Sequence, residues 1–205
     1  YILAVVLGVV VGVVAAVNHG KWVDSVLMTI SVFGISAPAF WIAIILQIVI
    51  CLKFNLLPLS GIDSFKSFIL PGIALGTRYA ASIARITRTS MLDVLSQDYI
   101  RTAEAKGLKG WVVTIKHALR NALIPIITIA GSDLGNILTG SVLVESVFSI
   151  PGIGKMLVDS INTRDLPIVQ GGVMYIAVIC VIMYLVVDLL YTVVDPRIRL
   201  GKESS

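Results

Sequence analysis

Phe68-Ile-Leu-Pro-Gly-Ile-Ala-Leu-Gly-Thr-Arg-Tyr-Ala-Ala-Ser-Ile-Ala84 decides how this chain is threaded. The stretch is apolar, yet it already contains Arg78, and Arg85 and Arg88 follow directly. The basic residues on either side settle whether it crosses a bilayer. If it crosses, three stretches share one side: 18–25, 85–121 and the tail from 195. They hold Lys21, Arg85, Arg88, Arg101, Lys106, Lys109, Lys116, Arg120, Arg197, Arg199 and Lys202. The opposite side holds Lys53, Lys66, Lys155 and Arg164. Basic loops stay on the cytoplasmic side of a membrane. The segment therefore reads as a crossing, with the C-terminus cytoplasmic; without it, the most basic loop would lie outside.

Working outward, four further apolar segments appear at 1–17, 26–52, 122–144 and 171–194. With 68–92 they make about five expected spans, joined between the third and fourth by a cytoplasmic loop, 93–121. Of the 205 residues, 57% are hydrophobic and 14% charged, with a mean hydropathy of +0.97. Soluble domains run at about 45–50% apolar and about 25% charged, so this composition excludes a disordered chain and argues against an ordinary soluble domain. The net charge of +4 points to a cytoplasmic membrane face before nucleic acid. No segment alternates as barrel strands do, and the expected fold class is all-α, a polytopic membrane bundle.

The segment 26–52 would make about 40 Å of helix against a hydrocarbon core of about 30 Å. It must tilt or bend, and Pro38 is the expected bend. The first 17 residues carry no charge and no basic leader, so they read as a truncated membrane helix and the chain as a fragment. Cys51 and Cys180 both lie in apolar runs and suggest neither a disulfide framework nor a metal cluster. Three spans carry a Gly-x-x-x-Gly pair (Gly8/Gly12, Gly72/Gly76, Gly131/Gly135), a spacing that allows close helix approach in lipid.

The loop is the most informative part. It reads Asp98-Tyr-Ile-Arg-Thr-Ala-Glu-Ala-Lys-Gly107, then Leu108-Lys-Gly-Trp-Val-Val-Thr-Ile-Lys-His-Ala-Leu-Arg-Asn121, then Ala122-Leu-Ile-Pro125. Two short helices are expected, split at Gly107 and Gly110, since glycine commonly ends helices. The second would place Trp111, Ile115 and Ala118 on one face, with Lys109, Lys116 and Arg120 elsewhere. That is a partly basic amphipathic helix for a membrane surface or a partner's groove; a solvated, partnerless loop is the plainer alternative. Pro125 should fall near the start of the fourth span, where proline costs little.

The order of residues in this loop resembles the EAA loop of bacterial ABC importer permeases. In that family Glu-Ala-Ala, three residues and Gly precede a helix that docks on an ATPase subunit. Here Arg101-Thr102-Ala103 and Gly107 stand at those positions, and Leu119-Arg120 replaces the later Leu-Pro. These departures resemble the dipeptide/oligopeptide/nickel branch, with its Asp-Tyr-(Ile/Val)-Arg-Thr-Ala-x-Ala-Lys-Gly-Leu and His-Ala-Leu-Arg-Asn-Ala. Other stretches are similar to the same branch: Leu70-Pro71, Leu75-Gly76, Arg85-x-x-Arg88-x-Ser90-Met91-Leu92, Glu145-x-x-Phe148-Ser149-x-Pro151-Gly152-x-Gly154, Arg164-Asp165-x-Pro167-x-Val169-Gln170-Gly171, Asp188-Leu-Leu-Tyr191 and Asp195-Pro196-Arg197-Ile198-Arg199.

The resemblance implies a single permease domain over 1–200 with a short tail, 201–205, in the bacterial cytoplasmic membrane. It implies a non-enzymatic subunit that forms half of a pore for di- or oligopeptides, or for nickel or a glutathione-type substrate. The implied partners are a second homologous permease, two ATP-binding subunits and an extracytoplasmic substrate-binding protein, with the lipid bilayer around them and no nucleic acid. ATP and magnesium would be held by the partner subunits, with no cofactor on this chain. Arg101, Thr102, Ala103, Gly107, Trp111, His117, Arg120 and Asn121 would form the ATPase-coupling surface. Family permeases have one more N-terminal span, followed by a large extracytoplasmic segment. The nearest thing to a phosphate loop, Gly152-Ile-Gly154-Lys155-Met156, lacks the first Gly and the Ser/Thr of a P-loop.

Within the fourth span, Ser132, Asp133, Asn136 and Thr139 form a polar run. An ionisable residue at that depth faces a cavity or a partner. A translocation-path role, such as meeting a peptide's amino group, and an interhelical contact, for example with Arg78, both stay open here. Arg78 is a candidate partner for Asp133 or Glu145. Arg85 and Arg88 are expected to snorkel to the cytoplasmic interface. His19 and His117 have no second His or Cys beside them, which argues against metal ligation. The external stretch 151–167 shows a helical pattern, with Ile153, Met156, Leu157 and Ile161 on one side. An ion-coupled secondary transporter or a membrane scaffold would also be apolar and helical, but Asp133, Glu145 and Asp188 are too scattered for the first, and the polar run argues against the second.

Overall fold

The computed structural model describes residues 1–138 and 141–194, with side chains for all of these except 138, 188 and 190–194. No strand occurs among the described residues, and the all-α expectation holds. The helices are α1 (Ile2–Val17), α2 (Trp22–Ser36), α3 (Ala39–Leu46), α4 (Ile69–Leu95), α5 (Asp98–Ala105), α6 (Gly110–Val112), α7 (Arg120–Leu138), α8 (Val142–Val147), α9 (Ile153–Asn162) and α10 (Leu166–Val194). Two stretches are π-helical, with wider i→i+5 turns: Gln47–Lys53, which extends α3, and Val113–Leu119, which joins α6 to α7.

α4 is the hub, packed against α1, α2, α3, α7 and α8. Its buried face is built of small residues, among them Ala74, Ala81, Ala84, Thr87 and Ser90, with Ile83 and Met91 as fully buried anchors. Small side chains let neighbouring backbones approach, which is how helices associate in lipid. Gly8 and Gly12 of α1 use this directly. A Cβ on Gly12 would fall 2.5 Å from the Ala84 carbonyl oxygen and 2.5 Å from the Thr87 Cβ. Gly131 and Gly135 of α7 lie against Val187 and Tyr184 of α10. The middle pair does not act as a pair: Gly76 lies loosely beside Ala4, while Gly72 faces open space.

Two apolar cores result. One joins α1, α4, α5, the 113–119 turns and α7 through Ala16, Ile83, Met91, Ile100, Ala103, Val113, Ala118, Ala122 and Ile126. The other joins α3, α4 and α8 through Ala43, Cys51, Leu70, Ala74, Val144 and Phe148. The outward surface is apolar, as a lipid-facing one must be: Phe33, Trp41, Met174 and Val181 are all exposed.

Among the described residues two helices are long and apolar enough to cross a membrane, Gly110–Ile137 and Leu166–Val187, and the bent pair Trp22–Ser36 with Ala39–Lys53 makes a third if it is one span. α1 is apolar but has 16 residues. α4 has 27 residues, long enough at about 1.5 Å each; its charges, not its length, weaken its apolar signature. The segment 26–52 bends at Pro38 as expected, but by 101° between α2 and the helix that follows. It is therefore not one tilted rod. Pro38 has no N–H to donate and pushes the residue before it out of helical geometry, and Ala37 is extended at φ −74°, ψ 127°.

Candidate functional site

α5 ends in a glycine cap. Gly107 has φ +75°, its N–H donates to Glu104 O at 2.9 Å, and the Leu108 N–H reaches Ala103 O at 3.4 Å. This is the paired bonding of a Schellman motif, which requires a left-handed residue after the cap. The chain then restarts at Gly110 and continues through 113–119 into α7 without a break. The expectation of a separate second short helix is corrected here, because the loop's last piece and the fourth span are one helix. Pro125 accordingly sits inside that helix rather than near its start. The wide turns also re-sort the faces. Trp111 and Ile115 are exposed at 68% and 50%, whereas Val113 and Ala118, five residues apart, are buried. The expected shared face of Trp111, Ile115 and Ala118 does not form.

The other loop residues divide in the same way. Arg101 and Thr102 are exposed on α5, and Arg101 lies 3.9 Å from the fully exposed Asp98. Ala103 is buried in the first core, so it supports the surface from beneath. His117 is half-buried and Arg120 is exposed. The Asn121 side-chain amide donates to the Tyr99 hydroxyl at 3.0 Å and to His117 O at 2.7 Å, tying α5 to the start of α7. Leu108 and Tyr99 are exposed as well, and Tyr99 is tied to the start of α7 through Asn121. The sequence signal for Leu108 was its place between Gly107 and Gly110, where a leucine has no helix face to join.

The polar run of α7 separates too. Ser132 and Asn136 are exposed, while Asp133 turns toward α1 and α4, into electrostatic reach of Tyr1, Tyr79 and Arg78. Tyr1 stacks edge-on against Tyr79, with ring centroids 5.7 Å apart, and its hydroxyl donates to the Ala130 carbonyl. No ion pair joins Arg78 to Asp133 among the described residues, and the Asp133 Oδ2 is buried without a hydrogen-bond partner there. Thr139 lies outside the described residues, as does the side chain of Asp188.

Glu145 does not meet Arg78 either. Its carboxylate accepts the Lys155 N–H at 2.7 Å and caps the start of α9. Gly152 and Gly154 leave room for that carboxylate, since a Cβ on Gly152 would collide with it. The Glu145-to-Gly154 stretch is thus a helix-capping device. α9 buries Gly154 and Ser160 and leaves Met156 and Ile161 exposed, against the expected apolar side.

Three interactions escaped the sequence. Arg88 does not snorkel freely. Its Nε and Nη2 donate to the two carboxylate oxygens of Asp24, each at 2.6 Å, and His19 Nδ1 lies 3.1 Å from Asp24 and 3.0 Å from Arg88. Asp24 is the lone acid of the 18–25 stretch, which is the one signal it carried. The Gln47 amide donates to Leu59 O at 2.8 Å and Val147 O at 3.0 Å, pinning the 54–64 loop to α8. Gln47 is the only polar residue of the otherwise apolar run 39–52. Gly61 N–H donates to Phe148 O across the same region.

Among the described residues, an all-helical arrangement in which an exposed, glycine-capped helix is followed by one long and apolar enough to cross a membrane fits the class of membrane transport components. The chain belongs to the family of binding-protein-dependent transport system inner membrane components, whose model matches residues 8–200. It is 45% identical over 196 residues to the glutathione transport system permease protein GsiC of Escherichia coli strain K12, covering 96% of this chain and 64% of that protein. The protein of the same name from Salmonella choleraesuis strain SC-B67 is 45% identical over 198 residues, covering 97% and 65%. The chain thus spans just under two-thirds of the length of these relatives.

Proposed function

We propose that this chain forms half of the translocation pore of a bacterial ABC importer in the cytoplasmic membrane, with its C-terminus cytoplasmic. A second homologous permease completes the pore, two ATP-binding subunits supply ATP and magnesium, and an extracytoplasmic binding protein delivers the substrate. The chain itself carries out no catalysis. The observation that carries this reading is the continuity of Gly110–Ile137, which joins the exposed Trp111 to α7 in one helix: a motion applied at Trp111 reaches the span without crossing a break in the helix.

Arg101, Thr102, Gly107, Trp111, His117, Arg120 and Asn121 present the ATPase-coupling surface, and Ala103 holds it from below. Ser132, Asp133, Asn136 and Thr139 form the translocation-path set of this reading, which the exposure of Ser132 and Asn136 supports. The substrate class is a di- or oligopeptide, with glutathione, itself a tripeptide, the first to test because the relatives are named for it. A nickel chelate is the alternative.

The test is purification of the full-length chain with whatever it retains from its membrane in mild detergent. It is followed by ATPase assay and by uptake of glutathione, a dipeptide and nickel into vesicles. Retained ATPase stimulated by one of these substrates supports the proposal. A chain that purifies alone, with no ATP hydrolysis, refutes it. Gly107→Pro should abolish uptake, because proline fixes φ near −65° where +75° is needed; uptake at the normal rate would remove Gly107 from the coupling surface.

A further inference from the structure

A groove of about 700 Å³ lies between α2 and α4, and it plays no part in the reading above. At one end lie Asp24, Ser25, Arg85 and Arg88; along it toward the span interior lie Val32 and Phe33. Asp24 and Arg88 neutralise each other through their two-pronged bond. Arg85, one turn away and exposed, has no ion partner among the described residues. The groove therefore carries one uncompensated positive charge. The hydroxyls of Thr29 and Thr89 donate to Ser25 O and Arg85 O. Ser25 is exposed and its hydroxyl has no such bond among the described residues, so it is free to donate. About 12 Å further along α2, at 1.5 Å per residue, Phe33 stands 70% exposed.

A cation and a free hydroxyl donor at headgroup depth, followed by an apolar channel, match one molecule: a phospholipid with net negative charge. A zwitterionic headgroup offers the same phosphate, but its own cation offsets the attraction to Arg85, so it gains less there. We infer that this groove is a binding site for a single anionic phospholipid, its phosphate held by Arg85 and Ser25 and one acyl chain lying along Val32 and Phe33. The inference requires that the chain sit in a bilayer and is independent of what it transports.

The experiment is native mass spectrometry of the full-length chain, purified in mild detergent and titrated with palmitoyl-oleoyl phosphatidylglycerol or phosphatidylcholine. One phosphatidylglycerol should be retained in preference to phosphatidylcholine. Arg85→Gln should weaken that retention about fivefold, the worth of roughly one surface cation near an anionic lipid. Arg85→Lys should keep most of it, and Lys53→Gln, outside the groove, should change nothing. In parallel, a Thr29→Cys chain should be shielded from maleimide by phosphatidylglycerol. Equal retention of the two lipids, or an unchanged Arg85→Gln chain, overturns the site. Equal shielding by millimolar inorganic phosphate overturns the lipid and makes a free anion the ligand. Cross-linking of the Thr29→Cys chain, through its new thiol, to another permease subunit in the membrane overturns it as well, by making the groove a subunit interface.

Discussion

Gly12 and Gly72 stand in the same sequence pattern and face different surroundings. Gly12 is pressed against the Ala84 carbonyl and Thr87, whereas Gly72 faces nothing within 4 Å. Gly12→Val should cost about 1–3 kcal/mol by overpacking and lower the unfolding midpoint of the detergent-purified protein; Gly72→Val should leave it within error. At Gly107 the constraint is conformational. A Cβ there meets nothing, so Gly107→Ala should cost only the left-handed penalty of about 1–2 kcal/mol, seen as faster amide exchange at Gly107 and Leu108, with Gly107→Asn milder. Asp24 is different again, with its side chain 6% exposed and that of Arg88 23%. Breaking a buried pair from one side costs about 3–5 kcal/mol. Asp24→Asn and Arg88→Gln should each destabilise strongly, and together by clearly less than their sum. The glycine spacing in the sequence records where a helix can approach, not whether a neighbour is there. The partner of Arg88 lies 64 residues away, beyond any local pattern. Gly107, by contrast, was legible at once, because a glycine ending a short amphipathic helix has few other uses.

The helices themselves were largely legible, α4 and α10 to within a few residues, because apolar runs of that length have little alternative. The break expected near residue 121 was not there. The sequence changes from basic to apolar at that point, but a helix is held by its backbone hydrogen bonds, which do not register the change. Nor does a sequence announce i→i+5 turns; their effect is visible only as the burial of Val113 with Ala118 and the exposure of Trp111. Removing one residue from the ordinary turns that follow, by deletion of Leu123, should rotate Trp111 relative to the rest of α7 by about 100°. The expected result is a chain that still inserts in the membrane and resists unfolding but no longer retains an ATPase on purification. Retention by the deletion protein would show that the orientation of this surface is immaterial.

For the molecule as a whole, the basic-residue count assigned the sides, and the structure supplies exposed reporters for each. Thr102 on α5 and Thr163 after α9 are both exposed. With Cys51 and Cys180 replaced by serine, Thr163→Cys should react with a membrane-impermeant maleimide in intact cells. Thr102→Cys should react only after permeabilisation. The reverse pattern would invert the topology and move the loop away from any cytoplasmic ATPase. The exposure of Arg101, Thr102 and Arg120 agrees with the charged residue order, while the environment of Asp133 was not legible, since it is assembled from α1, α4 and α7 together.

The unbroken run Gly110–Ile137 has 28 residues, about 42 Å at 1.5 Å each. Packed on α4 near its middle through Ala122 and Ile126 and on α10 through Gly131 and Gly135, such a beam behaves as a lever whose free arm carries Trp111. A swing of roughly 10° carries one end about 7 Å relative to the other, more than the width of an extended peptide backbone. A gate built on this arm therefore needs no hinge of its own; the stroke is set by geometry, and any softening along the beam, at Pro125 above all, would narrow the aperture it opens.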